Sequence, residues 1–305
     1  MRDDQILKLN QYGKLNLQVP ISTLTSIKVG GIADGVLYPK NGIALLEVIQ
    51  FCQQEGIDYF VFGNGSNILA SDSSYHGLII KLTRTLNNLY RHENRIVVEA
   101  GYSLPSLAYY AMKEGYSGLE WAGGIPGTVG GALYMNAGAY NSSISEVVEE
   151  VLVMKGDTLE WLSVSDCQFS YRHSLFQQHP DWIIIAARLS LKKSDSEAIE
   201  TMMMERRERR LATQPLTQYT FGSCFRNLDK PSWQYVDACG LRGYQVGGAQ
   251  VSEMHSNFIV NLENATFEDV HSIIKSIQRQ VNQQFGVDLV LEVEPFNWKQ
   301  TTKQP

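Results

Sequence analysis

Three short stretches hold residue types that can donate a proton or neutralise an anion. Arg172 lies in "FSYRHSLF", Ser223 stands between a glycine and a cysteine in "YTFGSCFRN", and Glu292 lies in the apolar run "LVLEVEPF". A carboxylate in an apolar strand costs free energy unless it is paired or functional. Glu294 has the same parity along this predicted strand and is expected on the same face. Each residue also has a plain structural interpretation, with Ser223 as a turn residue and Arg172 and Glu292 as surface groups.

Two glycine-rich stretches could hold a phosphorylated ligand. The first, "FGNGSN", places residues 63–67 directly after a predicted strand, where a turn can aim several backbone N–H groups at one anion. The second, "GGIPGTVGGA", can supply N–H groups at a helix start, which suits a diphosphate. The first stretch can also be read as a tight turn, and the second as a buried helix that packs closely through glycine. Together they favour a large phosphorylated ligand.

Several common sites are excluded by spacing. Ile68 stands where the Rossmann fingerprint needs its third glycine, and neither a P-loop nor a G-x-S-x-G nucleophile elbow occurs. The six histidines have no metal-ligand spacing, and the four cysteines form no CxxC pair. We therefore expect reduced thiols and no metal site.

Composition indicates a globular chain that does not bind nucleic acid. The 305 residues carry 26 basic and 32 acidic side chains, a net charge of −6, which disfavours nucleic acid as a partner. The basic run 205–210, "ERRERR", is mixed in sign and fits a solvated helix face. The N-terminus lacks the apolar core of a signal peptide, and no window approaches the roughly 18 apolar residues of a membrane span. We expect a cytoplasmic protein without membrane contact.

The elements that must position these residues alternate between strands and helices. Periodicity predicts two α+β domains separated near the long helix at about 195–212. The first domain is expected at 1–194, with subdomains at about 1–75 and 76–194. The second is expected at 195–298 and ends in a closing strand, "VDLVLEVEPF", before a frayed tail at 299–305.

Taken together, the motifs resemble those of a known family. "TSIKVGGIAD", "FGNGSNIL", "GIPGTVGGALYMNAGAY", "SYR", "GSCFRN", "GLRGYQVGGAQVSEMHSNFIVN" and "FGVDLVLEV" occur in that order. The series is similar to the UDP-N-acetylenolpyruvoylglucosamine reductases, the MurB family, from about residue 20 to 294. The glycine loops alone would indicate only the wider group of flavin domains related to vanillyl-alcohol oxidase.

The resemblance implies an α+β fold with an FAD-binding domain of the vanillyl-alcohol-oxidase type and a C-terminal substrate-binding domain. It implies non-covalent FAD, with the two glycine-rich stretches packed against the cofactor. The residues that match the family's cofactor loops are Thr25, Gly30, Gly31, Gly63, Asn64, Gly65, Ser66, Asn67, Gly123, Gly124, Ile125, Pro126, Gly127, Thr128, Gly130, Gly131, Asn136, Ala137 and Gly138.

The resemblance also implies an activity, the NADPH-dependent reduction of UDP-N-acetylglucosamine enolpyruvate to UDP-N-acetylmuramate during peptidoglycan precursor synthesis, and hence a role in cell-wall biogenesis, cell shape and division. The family's proton donor matches Ser223. Its other catalytic positions match Arg172 and Glu292, with Glu294 as the alternative carboxylate. Substrate contacts are implied for Tyr171, Arg210 and Asn227. No metal and no obligate protein partner are implied.

Two rival interpretations keep the fold but not this chemistry. A flavin oxidase that uses oxygen and a small alcohol would retain the cofactor loops without needing Ser223, Arg172 and Glu292 in this order. A non-catalytic nucleotide-binding module would retain the fold alone, and the intact trio argues against it.

Overall fold

The computed structural model describes residues 1–93 and 95–298, so the predicted tail at 299–305 lies outside the described part. Helices and strands are mixed along the chain, and the predicted α+β class is confirmed. The helices of the described part are α1 Asp3–Tyr12, α2 Gly42–Glu55, α3 Leu104–Lys113, α4 Val129–Tyr134, α5 Ser196–Thr213, α6 Ser232–Ala238 and α7 Phe267–Phe285.

The strands are mostly short. In chain order they are β1 Gly13–Pro20, β2 Ile32–Pro39, β3 Asp58–Phe62, β4 Ile68–Ala70, β5 Tyr75–Lys81, β6 Leu89–His92, β7 Arg95–Glu99, β8 Tyr116–Ser117, β9 Gly138–Ala139, β10 Ser142–Ser143, β11 Val148–Lys155, β12 Thr158–Ser163, β13 Trp182–Ser190, β14 Lys192–Lys193, β15 Tyr219–Ser223, β16 Gln245–Val246, β17 Ala249–Val251, β18 Phe258–Asn261 and β19 Glu294–Phe296.

Local sequence signals explain where the helices begin and end. The Thr266 hydroxyl accepts a hydrogen bond from the Asp269 amide at the start of α7, and Gly286 ends that helix with a φ of 66°. Asn41 caps α2 in the same way, and Gly56 ends it with a φ of 63°. Such caps satisfy backbone groups that a helix end leaves unpaired, and glycine adopts a left-handed φ at little cost.

The chain forms two compact units. The first comprises Met1–Leu17, Gly35–Asn64 and Gly77–Arg210. It contains a five-stranded antiparallel sheet in the order β12-β11-β13-β7-β6 and most of a four-stranded sheet in the order β1-β2-β5-β3. Within the latter, β3 and β5 are parallel. Helices α2, α3 and α4 contribute buried side chains to one hydrophobic core with these sheets.

The second unit comprises Gln18–Asp34, Gly65–His76 and the residues from Leu211 onward. Its four-stranded antiparallel sheet has the order β15-β18-β17-β16, and α7 packs against β16 and β17. Every third or fourth residue of α7 is buried, from Val270 to Val281, so one face of the helix enters a separate hydrophobic core.

The predicted closing strand is largely wrong. Only Glu294–Phe296 forms a strand, β19, which pairs in parallel with β4, while residues 287–293 make a single bridge through Leu291 to Phe225. Glu292 therefore lies just before a strand and not within one. Alternating apolar residues do not form a strand where the partner backbone offers only isolated hydrogen bonds.

The borders of the compact units differ from the domain borders expected from sequence. Residues 18–34 and 65–76 group with the C-terminal part of the chain, and most of α5 groups with the first unit. The assignment of cofactor binding to 1–194 and substrate binding to 195–298 remains a prediction about function.

Candidate functional site

The first glycine-rich stretch begins at the carboxyl end of β3. A Cβ placed on Gly63 would lie 2.6 Å from the Thr128 hydroxyl oxygen, so only glycine lets the first stretch approach the second this closely. The Gly63 carbonyl accepts a hydrogen bond of 2.5 Å from the buried Lys81 ammonium. The two glycine-rich stretches therefore meet in the first unit, as a shared ligand would require.

The second stretch turns through Ala122–Gly124 and then enters α4. Thr128 caps this helix, because its hydroxyl accepts from the Gly131 amide at 3.2 Å. The amides of Val129 and Gly130 donate to the carbonyls of Tyr102 and Ala100, which lie just before α3. The helix start is therefore occupied by protein acceptors, which differs from the expectation that it supplies free N–H groups to a diphosphate.

Arg210 lies against the second stretch. A Cβ on Gly124 would meet the Arg210 side chain at 3.2 Å. Burial lowers the pKa of Arg210, with Tyr140 opposing the shift, and within residues 1–93 and 95–298 its buried Nε has no hydrogen-bond partner. A half-buried guanidinium beside a glycine turn is suited to an anionic or carbonyl acceptor on a ligand.

Arg172 stands at the tip of a tight turn. Ser170 and His173 exchange two backbone hydrogen bonds of 3.1 Å, and Arg172 takes a left-handed φ of 55°. Its guanidinium donates to the Gly138 carbonyl at 2.8 Å and lies 5.1 Å from the ring of the exposed Tyr171. The Asn136 amide donates to the Ser170 carbonyl at 2.8 Å. Two residues predicted to touch FAD, Asn136 and Gly138, therefore also hold the turn that carries Arg172.

In the second unit the segment "TSIKVGG", which begins at Thr25, packs on the first glycine-rich stretch. The Ser26 amide donates to the Gly65 carbonyl at 3.1 Å, and a Cβ on Gly65 would lie 2.1 Å from the Leu24 carbonyl. Thr25 is buried and donates to the Val29 carbonyl at 2.9 Å. Gly30 and Gly31 lie against Ala70 and Asp72 in the same way. Within the described chain the Gly65 and Ser66 amides have no acceptor.

Ser223 ends strand β15, opposite Phe258 of β18. The register is irregular between Thr220 and Ser223, and Gly222 has a φ of 87°, a conformation that glycine adopts without strain. The Ser223 hydroxyl is half-buried and finds no hydrogen-bond partner among residues 1–93 and 95–298. A serine hydroxyl with no partner in the described part of the chain is available to a substrate.

The Glu292 segment runs beside the Ser223 segment. The Glu292 amide donates to the Cys224 carbonyl at 2.9 Å, and its carbonyl accepts from the Asn67 side chain at 3.0 Å. The Glu294 amide donates to the Asn67 carbonyl at 2.9 Å. Burial raises the pKa of Glu294, and nearby Arg226 partly opposes that shift. Asn67, predicted to contact FAD, is thus tied to the segment that carries both candidate carboxylates.

Two residues that were not predicted from the sequence hold the Gly63 turn and the segment after Ser223 in place. Lys81 lies in the otherwise apolar "GLIIKL", and a charged residue in a buried strand was the signal for it. Asn257, in "HSNFIVN", is 3% exposed, and its side chain forms two hydrogen bonds of 2.9 Å with the amide and carbonyl of Phe225. Its own carbonyl accepts from the Cys224 amide at 2.7 Å. Nothing in the sequence identified this asparagine, because its partners lie 32 residues away.

The remaining predicted residues lie on the same loops. Ile125 to Gly127 link the Ala122–Gly124 turn to Thr128, with Pro126 exposed, and Ala137 lies between Asn136 and Gly138. Asn227 is exposed and accepts from the Ser232 amide at 3.1 Å at the start of α6. Arg172 and Arg210 belong to the first unit, while Ser223 and Glu292 belong to the second.

These residues fit a dinucleotide such as FAD. The Gly63 turn leaves no room for a side chain, because a Cβ there would lie 2.6 Å from the Thr128 hydroxyl oxygen. The buried ammonium of Lys81 supplies positive charge beside the Gly63 turn, as a diphosphate requires. Within the first unit, the Gly63 turn and the Lys81 cation form a donor set for an anionic nucleotide.

Other kinds of site find no support in the described part of the chain. Residues 1–93 and 95–298 contain no cluster of three or more histidine, cysteine, aspartate or glutamate side chains that could hold a metal ion. All four cysteines are free thiols, and three of them are buried. Among the described helices, none has the length and apolar character needed to cross a bilayer.

Comparison with known proteins identifies the two parts of the chain. Residues 33–160 match the family model described as FAD binding domain, and residues 214–296 match that of the UDP-N-acetylenolpyruvoylglucosamine reductase C-terminal domain. The expected FAD-binding domain and C-terminal domain are thereby confirmed.

Relatives match along nearly the whole chain. The UDP-N-acetylenolpyruvoylglucosamine reductase of Caldanaerobacter subterraneus is 40% identical over 95% of this chain and 96% of its own. That of Bacillus subtilis is 38% identical over the same shares. The crystal structure of the Thermus caldophilus enzyme superposes with a TM-score of 0.79 at 30% identity, over 93% of this chain and all of that one. The chain therefore belongs to the UDP-N-acetylenolpyruvoylglucosamine reductase family.

Proposed function

We propose that this protein reduces UDP-N-acetylglucosamine enolpyruvate to UDP-N-acetylmuramate with NADPH and FAD, and that Arg172, Ser223 and Glu292 carry the substrate chemistry. Family membership over 95% of the chain supports the reaction. The observation that supports assigning Ser223 and Glu292 together is the hydrogen bond from the Glu292 amide to the carbonyl of Cys224, the residue that follows Ser223.

The cofactor supplies the redox chemistry and the chain's residues position and protonate the substrate. When bound by the two glycine-rich stretches, FAD would supply hydride transfer from NADPH to the methylene carbon of the enolpyruvyl group. Negative charge then builds on the substrate carboxylate. Arg172 is assigned to neutralise that charge, because a planar guanidinium pairs with both oxygens of a carboxylate.

Ser223 is assigned to donate its hydroxyl proton to the carbon next to the substrate carboxylate. Serine is a weak acid, so the basicity of the charged substrate must drive this transfer. The Ser223 hydroxyl has no hydrogen-bond partner in the described part of the chain, which is consistent with this role. Glu292 is assigned to the hydrogen bond with the same carboxylate, and Glu294, whose pKa burial raises, is the alternative.

The further assignments follow the family pattern. We assign Tyr171, Arg210 and Asn227 to the substrate, and the two glycine-rich stretches to FAD. Cofactor binding is assigned to 1–194 and substrate binding to 195–298. We also propose that the protein acts in the cytoplasm on small molecules and needs no protein partner. Four unpaired thiols support a reducing compartment.

The test is a visible spectrum of the purified protein, followed without oxygen. A flavin band bleached by NADPH and restored by UDP-N-acetylglucosamine enolpyruvate is the expected result. A band restored only by oxygen would instead indicate a flavin oxidase. Failure to retain or take up FAD would leave a non-catalytic nucleotide-binding module as the remaining interpretation.

A further inference from the structure

Lys81 is a buried cation at the end of a parallel strand pair. It is 7% exposed and is the last residue of β5, directly opposite Phe62, the last residue of β3. Gly63, the first residue of the first glycine-rich stretch, follows Phe62. Burying an ammonium is expensive unless a partner compensates for the lost water.

The protein itself compensates this charge poorly. Within residues 1–93 and 95–298 the Gly63 carbonyl is the single hydrogen-bond acceptor of the Lys81 ammonium, although the group carries three N–H donors. No described carboxylate pairs with it. On the facing elements, Phe62, Gly63 and Thr128 carry no charge, and the charged group that acts on Lys81 is Arg84, another cation, whose guanidinium lies over the Tyr38 ring.

The position of the Lys81 ammonium indicates which kind of ligand compensates its charge. Gly63 lies against Thr128, which caps the helix after the second glycine-rich stretch. Lys81 is therefore anchored where the two stretches meet, and these are the stretches assigned to the diphosphate of FAD. Two free ammonium donors and an uncompensated positive charge suit an anion there.

We infer that Lys81 is a binding and positioning residue for the diphosphate of the dinucleotide: it fixes the Gly63 carbonyl and supplies the counter-charge. The inference rests on the proposed FAD site and adds to it a residue outside both glycine-rich stretches. Burial lowers the pKa of Lys81 to about 8. Because the diphosphate favours the protonated form, FAD affinity should fall as the pH rises above about 8.

The experiment titrates apoprotein with FAD by flavin fluorescence, from about pH 7 to about pH 9.5. At pH 7, Lys81→Met is expected to weaken FAD binding by about 10- to 100-fold, as the loss of a charge-assisted hydrogen bond does. The control Lys14→Met, which removes an exposed lysine of the same unit, should stay within about twofold. Wild-type affinity should drop by up to about tenfold per pH unit above pH 8, while that of Lys81→Met should not change with pH.

Two results would overturn the inference. One is wild-type FAD affinity that stays constant across this pH range, a measurement that needs no variant to fold. The other is a Lys81→Met protein that binds FAD normally, or more weakly but with the wild-type pH profile, since that profile would assign Lys81 a structural role only. A wild-type protein that binds no FAD at all would instead refute the proposed function, and the inference with it.

Discussion

Replacing Asn257 by alanine tests how the Ser223 segment is held in place. The Asn257 side chain accepts from the Phe225 amide and donates to the Phe225 carbonyl, both at 2.9 Å. Asn257 and Phe225 are 3% and 1% exposed. The substitution therefore removes two buried hydrogen bonds from the stretch that begins at Ser223, and water has little access to replace them.

The expected loss of stability follows from these two bonds. Each buried amide or carbonyl left without a partner costs about 1–3 kcal/mol, so the pair sums to about 2–6 kcal/mol. The Ser223 hydroxyl should also lose its orientation, and a displacement of about 1 Å costs roughly 100-fold in rate.

The assay separates stability from chemistry. Denaturant unfolding measures the free energy of unfolding, and stopped-flow absorbance measures flavin reduction by NADPH and flavin reoxidation by the enolpyruvyl substrate separately. Only reoxidation should slow, by roughly 100-fold. The matched control is Asn261→Ala, at the end of strand β18, which begins one residue after Asn257. Asn261 is 7% exposed, and its side chain also makes two buried hydrogen bonds of 3.0 Å, to Ile27 and Ala265.

Asn261→Ala should lose comparable stability but keep its reoxidation rate. Equal slowing in both variants would refute the reasoning, because the effect would then come from general loosening of the second unit. Unchanged reoxidation in Asn257→Ala would also refute it, since Ser223 would not depend on this contact.

Four further predictions concern single side chains. Ser223→Ala should leave FAD binding and reduction by NADPH intact but slow substrate reduction by at least about 100-fold, a typical contribution of a positioned proton donor; near-normal turnover would remove Ser223 from the mechanism. Arg172→Ala should lower kcat by about 100- to 1000-fold, as loss of an oxyanion donor does, and a change confined to KM would contradict that role. Glu292→Gln should slow reoxidation far more than Glu294→Gln in the same stopped-flow assay, and the reverse order would assign the acid to Glu294. Burial lowers the pKa of Lys81 from 10.5 to about 8. Between these two pH values the lysine is protonated in the unfolded chain but not in the folded protein, so the free energy of unfolding of the wild type increases as the pH rises. This shift in pKa corresponds to about 3 kcal/mol. The free energy of unfolding of Lys81→Met apoprotein, relative to that of the wild type, should therefore decrease by this amount between about pH 8 and pH 10.5. A difference that does not change with pH would show that the lysine is not buried as a cation.

Helices and hairpins with strong local signals could be predicted from sequence. Helix α7 begins just after its Thr266 cap and ends before Gly286, because its cap, its apolar periodicity and its glycine stop are local signals. The hairpin of β11 and β12 turns at Gly156 and Asp157 for the same kind of reason. In contrast, α1 and β1 were not predicted, since a polar ten-residue helix has little apolar signal.

For the candidate site, too, only part could be predicted from the sequence. Ser223, Arg172, Glu292 and the two glycine-rich stretches could be named because each is a short contiguous motif. That the stretches meet at Gly63 and Thr128 could not, because these residues lie 65 positions apart and only the fold brings them together.

The sequence by itself determined the family, the cofactor and the residue types that do the chemistry, since these depend on motifs that persist as runs of neighbouring residues. Only the tertiary structure decided which groups support them. The burial of Lys81 and the hydrogen bonds of the Asn257 side chain with Phe225 both depend on desolvation and on partners distant in the chain. The length of the closing strand was decided in the same way, because a strand extends only where a neighbouring backbone pairs with it, and here β4 pairs with three residues.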